Sequence, residues 1–180
     1  ICRARGQRRI VLHDGDVVTA GSTAPVESLV AFLAARGDVD RELVPRLSGK
    51  LPPFGRHAGA AMVAHGYLGQ DDLWPVLRAH AEWVMGRALL VESGTCEVES
   101  EPPARYKAEP SVFGGSTGAE VFVESVQRVI APETALARLG GPGARLAAGP
   151  RTALLGECAL VPADQDRIRA APGHTVREFA

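Results

Sequence analysis

The chain has 180 residues, of which 46% are hydrophobic, and it carries 20 basic and 21 acidic side chains. A chain of this length buries roughly 70% of its unfolded surface and folds without disulfides or a metal, and its composition excludes disordered and collagen-like proteins. The balanced charge disfavours nucleic acid as a general partner, and the longest run without Asp, Glu, Lys or Arg, 14 residues, is too short for a transmembrane helix.

The chain ends and the cysteines bear on localisation. The sequence opens at Ile1 without a methionine or a charged-then-apolar leader, so no secretory signal is predicted. Cys2, Cys96 and Cys158 are too scattered for a disulfide framework, and an odd thiol is typical of a reducing compartment. We therefore expect a cytoplasmic protein, present as a fragment or trimmed chain that continues past Ala180.

The first predicted elements are strands. Residues 1–21 break at Gly6 and at Asp14-Gly15, and short apolar runs lie between the breaks. This pattern predicts a three-stranded meander with a tight Asp-Gly turn.

A helix with one buried face follows the meander. Thr23 and Pro25 open it, and Gly37 is placed to end it. Its apolar positions have the i, i+3, i+4, i+7 spacing of a helix face: Val26, Leu29, Val30 and Leu33.

The chain then repeats itself with a period of about 30 residues. Residues 35–47 match residues 64–77 with one inserted residue. In each unit a helix ends at a glycine that accepts the left-handed conformation, and an acidic residue lies in the first turn of the next helix. The pattern predicts two helix-turn-helix units. The matched pairs are Gly37 and Gly66, Val39 and Leu68, Glu42 and Asp72, Leu43 and Leu73, Pro45 and Pro75, and Leu47 and Leu77.

The second unit ends in a long helix, predicted from Asp71 to Leu89. Residues 89–99 then alternate around Ser93-Gly94, which predicts a hairpin that adds strands to the meander. The buried positions expected on the long helix are Leu73, Val76, Leu77, Val84 and Ala88.

The remaining segments are a linker and short helices. Residues 100–118 hold three prolines and three glycines and are predicted as a linker, closed by a capping box from Thr117 to Glu120. A helix of about 13 residues follows, and the next, shorter helix ends at Gly140–Gly143. A helical stretch over Asp164–Arg169 precedes a second capping box at Thr175–Glu178. The stripe expected on the first of these helices is Phe122, Ser125, Val126 and Val129.

Several sequence features occur together over about residues 1–140. They are HDGDVVTAGST in the meander, AARG at the first helix end, the two G-x-V/L units, AEWVMGRALL in the long helix and ESGTCEVE after it. In this order they resemble the PatA-like N-terminal domain, a family of modules in bacterial regulatory proteins. The resemblance implies an α+β module that lies beside receiver, kinase or other signalling domains and serves protein interaction rather than catalysis.

A second similarity is to the N-terminal domains of type II secretion and pilus-assembly ATPases, some of which bind cyclic di-GMP through tandem motifs resembling RLGxxLxxxGxL. Gly59 and Gly66 hold those spacings, but His57 and Ala58 replace the Arg-Leu pair, and Arg56 is one position away. The first unit has Ser-Leu-Val, from residue 28, where the motif has Arg-Leu-Gly. The similarity implies nucleotide contacts at Arg56, His57, Gly59 and Gly66.

No motif predicts catalysis or a bound metal or cofactor. The five histidines form no zinc pattern, and His80, on the apolar stripe of the long helix, is expected to be a hydrogen-bonded core or boundary residue. Residues 113–118 lack the lysine of a phosphate-binding loop and are better explained as a linker. Cys96 is expected to be a small buried thiol in the hairpin, and the sequence has no G-x-S-x-G. We expect no enzyme, while a metal or hydrolytic enzyme stays a remote alternative because a missing motif is not proof.

Two tryptophans are the candidate interaction residues. Trp74 and Trp83 are nine positions apart on one helix, so they point to opposite sides and cannot enter the same core. One is a candidate surface anchor, since tryptophan is enriched in interaction hot spots, and the alternative is that different layers of the fold cover both.

These observations combine into one prediction. The fold is α+β, with an antiparallel sheet from the meander and the later hairpin, the duplicated helical units between them, and a helical C-terminal extension. Residues 1–109 form the PatA-like module, 110–140 a linker and packing helix, and 141–180 the start of a further helical region. The predicted function is a non-catalytic interaction or regulatory module of a bacterial signalling protein, whose partner is another protein or another domain of the same chain. The alternative is a cyclic di-GMP receptor.

Overall fold

A computed structural model describes Cys2–Arg3 and residues 6–179. The first predicted strand includes Ile1, which lies outside the described residues. The same is true of Ala4, Arg5 and Ala180. The chain forms two compact units, which meet between Gly115 and Ser116 in the sequence. Within the described residues, no helix is both long enough and apolar enough to cross a membrane.

The N-terminal unit combines a small sheet with helices, which confirms the predicted α+β class. In chain order the elements are β1 (Cys2–Arg3), β2 (Gln7–His13), β3 (Asp16–Ser22), a 3-10 turn (Pro25–Glu27), α1 (Leu29–Arg36), α2 (Leu43–Leu47), α3 (Gly55–Ala64), α4 (Leu73–Leu89), β4 (Thr95–Cys96) and α5 (Ala104–Lys107). Among the described residues the sheet has four antiparallel strands, in the order β3-β2-β1-β4.

The meander has the predicted turn. Asp14 and Gly15 link β2 to β3 with φ values of 51° and 94°, and two consecutive positive φ values define the type I′ turn that suits the strand twist. The hairpin predicted over residues 89–99 is wrong in its first arm, because α4 continues to Leu89 and β4 has only two residues. β4 does join the meander, where it pairs with β1, but Cys96 is exposed rather than buried.

Helix α1 begins later than its sequence pattern suggests. Pro25 opens a separate 3-10 turn, and Ser28, not Thr23, caps α1 by accepting a hydrogen bond from the amide of Ala31 at 3.3 Å. The 3-10 turn has a different rotation per residue, so Val26 does not share the helix face and is 72% exposed. The rest of the predicted stripe is buried, as expected: Leu29, Val30 and Leu33.

The two units of the sequence repeat also have the same structure at their helix ends. Gly37 and Gly66 end α1 and α3 with φ values of 87° and 73°. After each glycine the next amide bonds back to a carbonyl five residues earlier, Asp38 to Leu33 and Tyr67 to Met62, both at 2.9 Å. This is the bond that defines a Schellman C-cap. The acidic residues of the repeat, Glu42 and Asp72, lie just before α2 and α4 rather than in their first turns.

We expect Gly37→Ala and Gly66→Ala each to destabilise the protein by about 1 kcal/mol, because a side chain disfavours the left-handed conformation. An added Cβ meets no atom within 4 Å at either site, so the loss of stability comes from the backbone conformation rather than from a clash. Urea unfolding measures this loss in the free energy of unfolding. Gly114→Ala is the matched control, since its Cβ is also unobstructed and its φ is not in the left-handed region; equal losses in all three variants would contradict the cap assignment.

Helices α1, α3 and α4 form the hydrophobic core of this unit. The stripe predicted on α4 is confirmed, since all five of its positions are buried. At Gly59 of α3, an added Cβ would overlap the side chain of Leu73, so this glycine lets the two helices approach closely. The central core residues are Leu29, Leu33, Ala58, Met62, Leu73, Val76 and Leu77.

The segment predicted as a linker covers the second face of the sheet. Since side chains alternate along a strand, Gly21 faces away from Ser22, and an added Cβ at Gly21 would lie 2.8 Å from the ring of Phe54. Tyr106 of α5 stacks on Phe54 with 4.5 Å between ring centres, and Phe113 is 1% exposed. Residues up to 113 therefore belong to the packed N-terminal unit.

The C-terminal unit consists of short helices: α6 (Gly118–Val129), α7 (Pro132–Arg138), a 3-10 helix (Thr152–Glu157), α8 (Pro162–Ala170) and α9 (Val176–Phe179). Thr117 caps α6 as predicted, accepting from the amide of Glu120 at 3.1 Å. The predicted stripe on α6 is partly right, because Ser125 is buried as expected, but Val121 is buried in place of Phe122, which is 53% exposed. The second capping box is also present, as Thr175 and Glu178 bond to each other's backbone amides.

Candidate functional site

A buried carboxylate lies where the sheet, the 3-10 turn and α4 meet. The side chain of Glu27 is 2% exposed and accepts hydrogen bonds from Nε and Nη2 of Arg8 and, at 2.6 Å, from Oγ of Ser22. Nη1 of Arg87 lies 3.6 Å from its Oε1, and the backbone carbonyl of Glu27 accepts a 2.9 Å bond from Nε2 of His80. We call Glu27, Arg8, Ser22, His80 and Arg87 the buried polar cluster.

The cluster sets the protonation states of its members. Burial by itself raises the pKa of Glu27, but the hydrogen bonds from Arg8 and Ser22 and the charges of Arg8 and Arg87 outweigh it and hold the pKa below its usual value. Burial lowers the pKa of His80 to about 4, against the opposing influence of Glu27. At pH 7 the cluster therefore holds two guanidinium cations, one carboxylate and a neutral imidazole.

Next to this cluster, α1 and α4 carry two aromatic rings that are flanked by two arginines. The guanidinium of Arg36 lies 5.4 Å from the ring centre of Phe32, and the rings of Phe32 and Trp83 are 5.4 Å apart. Arg87 lies 4.5 Å from the ring of Trp83. We call Arg36, Phe32, Trp83 and Arg87 the arginine–aromatic row. Its arginine side chains are 44% and 45% exposed.

The buried polar cluster and the row share Arg87, and His80 of the cluster lies beside both rings of the row, so the cluster supports the row. Arg87 contacts Trp83 on one side and lies near Glu27 on the other. The His80 ring lies 5.5 Å from Phe32 and 6.1 Å from Trp83. The aromatic side chains of the row are therefore backed by hydrogen-bonded groups, which hold the surface in one arrangement.

The two predicted interaction tryptophans lie in different surroundings. Trp83 is half-buried within the row, while Trp74 is 47% exposed near the start of α4. The row therefore incorporates Trp83 and leaves Trp74 apart, and a binding role for either residue stays a prediction. His80 is a hydrogen-bonded core residue, as predicted.

The residues suggested for nucleotide binding are not brought together. Arg56 and His57 are exposed at the start of α3, Gly59 is buried against α4, and Gly66 follows the far end of the helix, about 15 Å away for ten residues. The amide of Arg56, which an anion would use at a helix N-terminus, donates a 2.7 Å hydrogen bond to the carboxylate of Glu109. An internal anion thus occupies that position.

We therefore expect calorimetry with cyclic di-GMP to show no binding tighter than about 100 μM, or roughly −5.5 kcal/mol. The internal carboxylate of Glu109 both fills the position and repels a phosphate. Micromolar binding that Arg56→Ala abolishes would overturn this expectation and make the chain a nucleotide receptor.

The remaining candidate groups have structural surroundings. Glu99 pairs with Arg9 at 3.2 Å, and Glu101 pairs with Lys107. Over the described part of the chain, no three His, Cys, Asp or Glu side chains gather at a spacing that suits a metal ion.

Sequence reasoning found Trp83 and His80 but missed the other members of the site. The missed residues come from five elements, and no local motif marks them as neighbours: Arg8, Ser22, Glu27, Phe32, Arg36 and Arg87. Comparison with models of protein families, with curated proteins and with solved structures gives no match to this chain.

Proposed function

We propose that the chain is a non-catalytic protein-interaction module of a bacterial signalling protein, and that it contacts its partner through the arginine–aromatic row. The row supports this proposal because tryptophan and arginine are the residues most enriched in interaction hot spots. The bacterial signalling context rests on the resemblance of the first 140 residues to PatA-like N-terminal domains.

The chemistry of the row suits binding better than catalysis. A hot spot needs large side chains that are already ordered, so that little entropy is lost on binding. Phe32 and Trp83 pack on each other, and Arg36 and Arg87 stack on their rings. The guanidinium groups keep hydrogen-bond donors at the surface, which supply direction and specificity. The titratable groups of the buried polar cluster beside the row are engaged: Glu27 accepts hydrogen bonds from Arg8 and Ser22, and His80 is buried against a backbone carbonyl.

The experiment is quantitative capture of partners from bacterial lysate by the purified chain and four variants. We expect Trp83→Ala and Arg36→Glu to reduce the captured partner at least tenfold, because they remove the central ring and reverse one terminal charge. Trp74→Ala and Arg56→Glu are matched controls, an exposed tryptophan and an exposed arginine outside the row, and both are expected to retain the partner.

Circular dichroism and urea unfolding of every variant establish that the fold is kept. Loss confined to Trp74→Ala would move the interaction surface to the start of α4. Equal capture by all four variants would contradict a role for the row.

A further inference from the structure

The row has a cation at each end and two rings between, and Trp83 is the ring that reaches the surface, because Phe32 is only 6% exposed. Successive members are separated by 5.4, 5.4 and 4.5 Å, so the two guanidinium groups are at most about 15 Å apart. In an extended chain, residues i, i+2 and i+4 share one face and span about 13 Å. Three alternate residues of an extended segment are thus long enough to cover the row.

The buried polar cluster leaves a net positive charge beside the row, because Arg8 and Arg87 face the single carboxylate of Glu27. In the buried polar cluster Glu27 is already held by the two-point contact with Arg8 and by Ser22, and His80 is neutral at pH 7. Arg87, farther away at 3.6 Å, therefore contributes charge that the cluster does not neutralise. Its partner Glu27 is buried, whereas almost half of the Arg87 side chain faces solvent.

Arg36 offers donors at the other end of the row. Its Nε bonds to Asp38 at 2.9 Å, and this contact uses one edge of a guanidinium that has five N–H donors. A carboxylate accepts two parallel bonds from such a group, and stacking on a ring leaves the planar edge of the guanidinium accessible.

We propose that the partner presents an extended acidic segment in which two carboxylates flank an apolar or aromatic side chain at alternate positions. The carboxylates pair with Arg36 and Arg87, and the central side chain packs on Trp83. This inference rests on the proposed function, since it names the partner's chemistry at the same row.

The test uses the fluorescein-labelled peptide Ser-Glu-Ser-Phe-Ser-Glu-Ser and two matched peptides, in which glutamine or lysine replaces both glutamates. Fluorescence anisotropy with the whole chain measures binding. We expect saturable binding of the glutamate peptide below about 1 mM, at least tenfold weaker binding of the glutamine peptide, and none of the lysine peptide. Raising the salt concentration from 50 to 300 mM is expected to weaken the binding of the glutamate peptide severalfold, because exposed charges are screened.

The variants separate this inference from the proposed function. Arg36 lies outside the buried polar cluster, and Arg36→Gln is expected to weaken the binding of the glutamate peptide at least fivefold. The control Arg56→Gln is expected to leave this binding unchanged. Equal binding of the glutamate and glutamine peptides, or no saturable binding up to about 1 mM, would contradict the proposal that the partner presents an acidic segment. If lysate capture still depends on Trp83 in that case, the row remains the interaction surface and only the partner chemistry is wrong.

Discussion

Replacing Glu27 by alanine is expected to lower the free energy of unfolding by about 3–5 kcal/mol, the usual cost of removing one partner from a buried ion pair. The carboxylate joins β2, β3 and α4, and its loss leaves the guanidinium of Arg8, whose side chain is 11% exposed, without a counter-charge. Nη1 of Arg8 already has no hydrogen-bond partner within the described structure. Urea unfolding at pH 7 measures the effect.

Two further variants identify the source of this cost. Glu101→Ala removes an exposed ion pair with Lys107 and is expected to cost less than about 0.5 kcal/mol. The double variant Arg8→Met, Glu27→Leu replaces both charges by apolar side chains and is expected to be more stable than Glu27→Ala, because no charge is left buried alone. A loss below about 1 kcal/mol for Glu27→Ala would show that the carboxylate is not the link between these elements.

The parts of the fold that the sequence predicts are those encoded by neighbouring residues. The Asp14-Gly15 turn, the left-handed glycines at 37 and 66, and the helix caps at Thr117 and Thr175 each depend on a few adjacent positions. Local steric rules and hydrogen-bond geometry determine them, so the sequence pattern is sufficient. The apolar stripe of α4 is long enough for its period to be unambiguous.

The predictions fail where tertiary contacts, or a shift of one position in the helical period, determine which residues are buried. Val26 follows a proline that starts a 3-10 turn, and Phe122 differs by one position from the buried Val121. Residues 89–92 are predicted as the first arm of a hairpin, but the first of them completes α4. Residues 100–113 have linker composition, yet Tyr106 and Phe113 pack into the fold.

The candidate site was largely unpredictable because its residues are distant in sequence. Arg8 and Glu27 are 19 positions apart, and His80 is 53 positions from Glu27. Each is an ordinary residue in its own segment, and only the packing of α4 on the sheet brings them together. Sequence reasoning singled out Trp83, together with Trp74, because tryptophan is rare, and periodicity placed the two on opposite sides of the helix without showing which side faces the core. The arginines that stack beside Trp83 carry no such signal.

Stability is expected to fall in mild acid because His80 is buried in its neutral form. Its pKa is about 4 in the folded protein against 6.5 in the unfolded chain, so below pH 6.5 the unfolded state binds more protons than the native state. The stabilisation is complete above pH 6.5 and declines as the pH falls towards 4. For one group with these values the loss is about 2 kcal/mol at pH 5 and about 3 kcal/mol at pH 4.

The variant His80→Gln isolates this contribution. Glutamine places an amide N–H near the position of Nε2 and can keep the bond to the Glu27 carbonyl, but it does not titrate. Urea unfolding at pH 7 and at pH 5 is expected to show that the variant loses about 2 kcal/mol less stability over this interval than the original chain. Below pH 4.5 both proteins are expected to lose further stability, because the lowered pKa of Glu27 makes its protonation favour unfolding. Parallel curves above pH 5 would mean that His80 is not held neutral by burial, and that the polar groups beneath Trp83 are open to water.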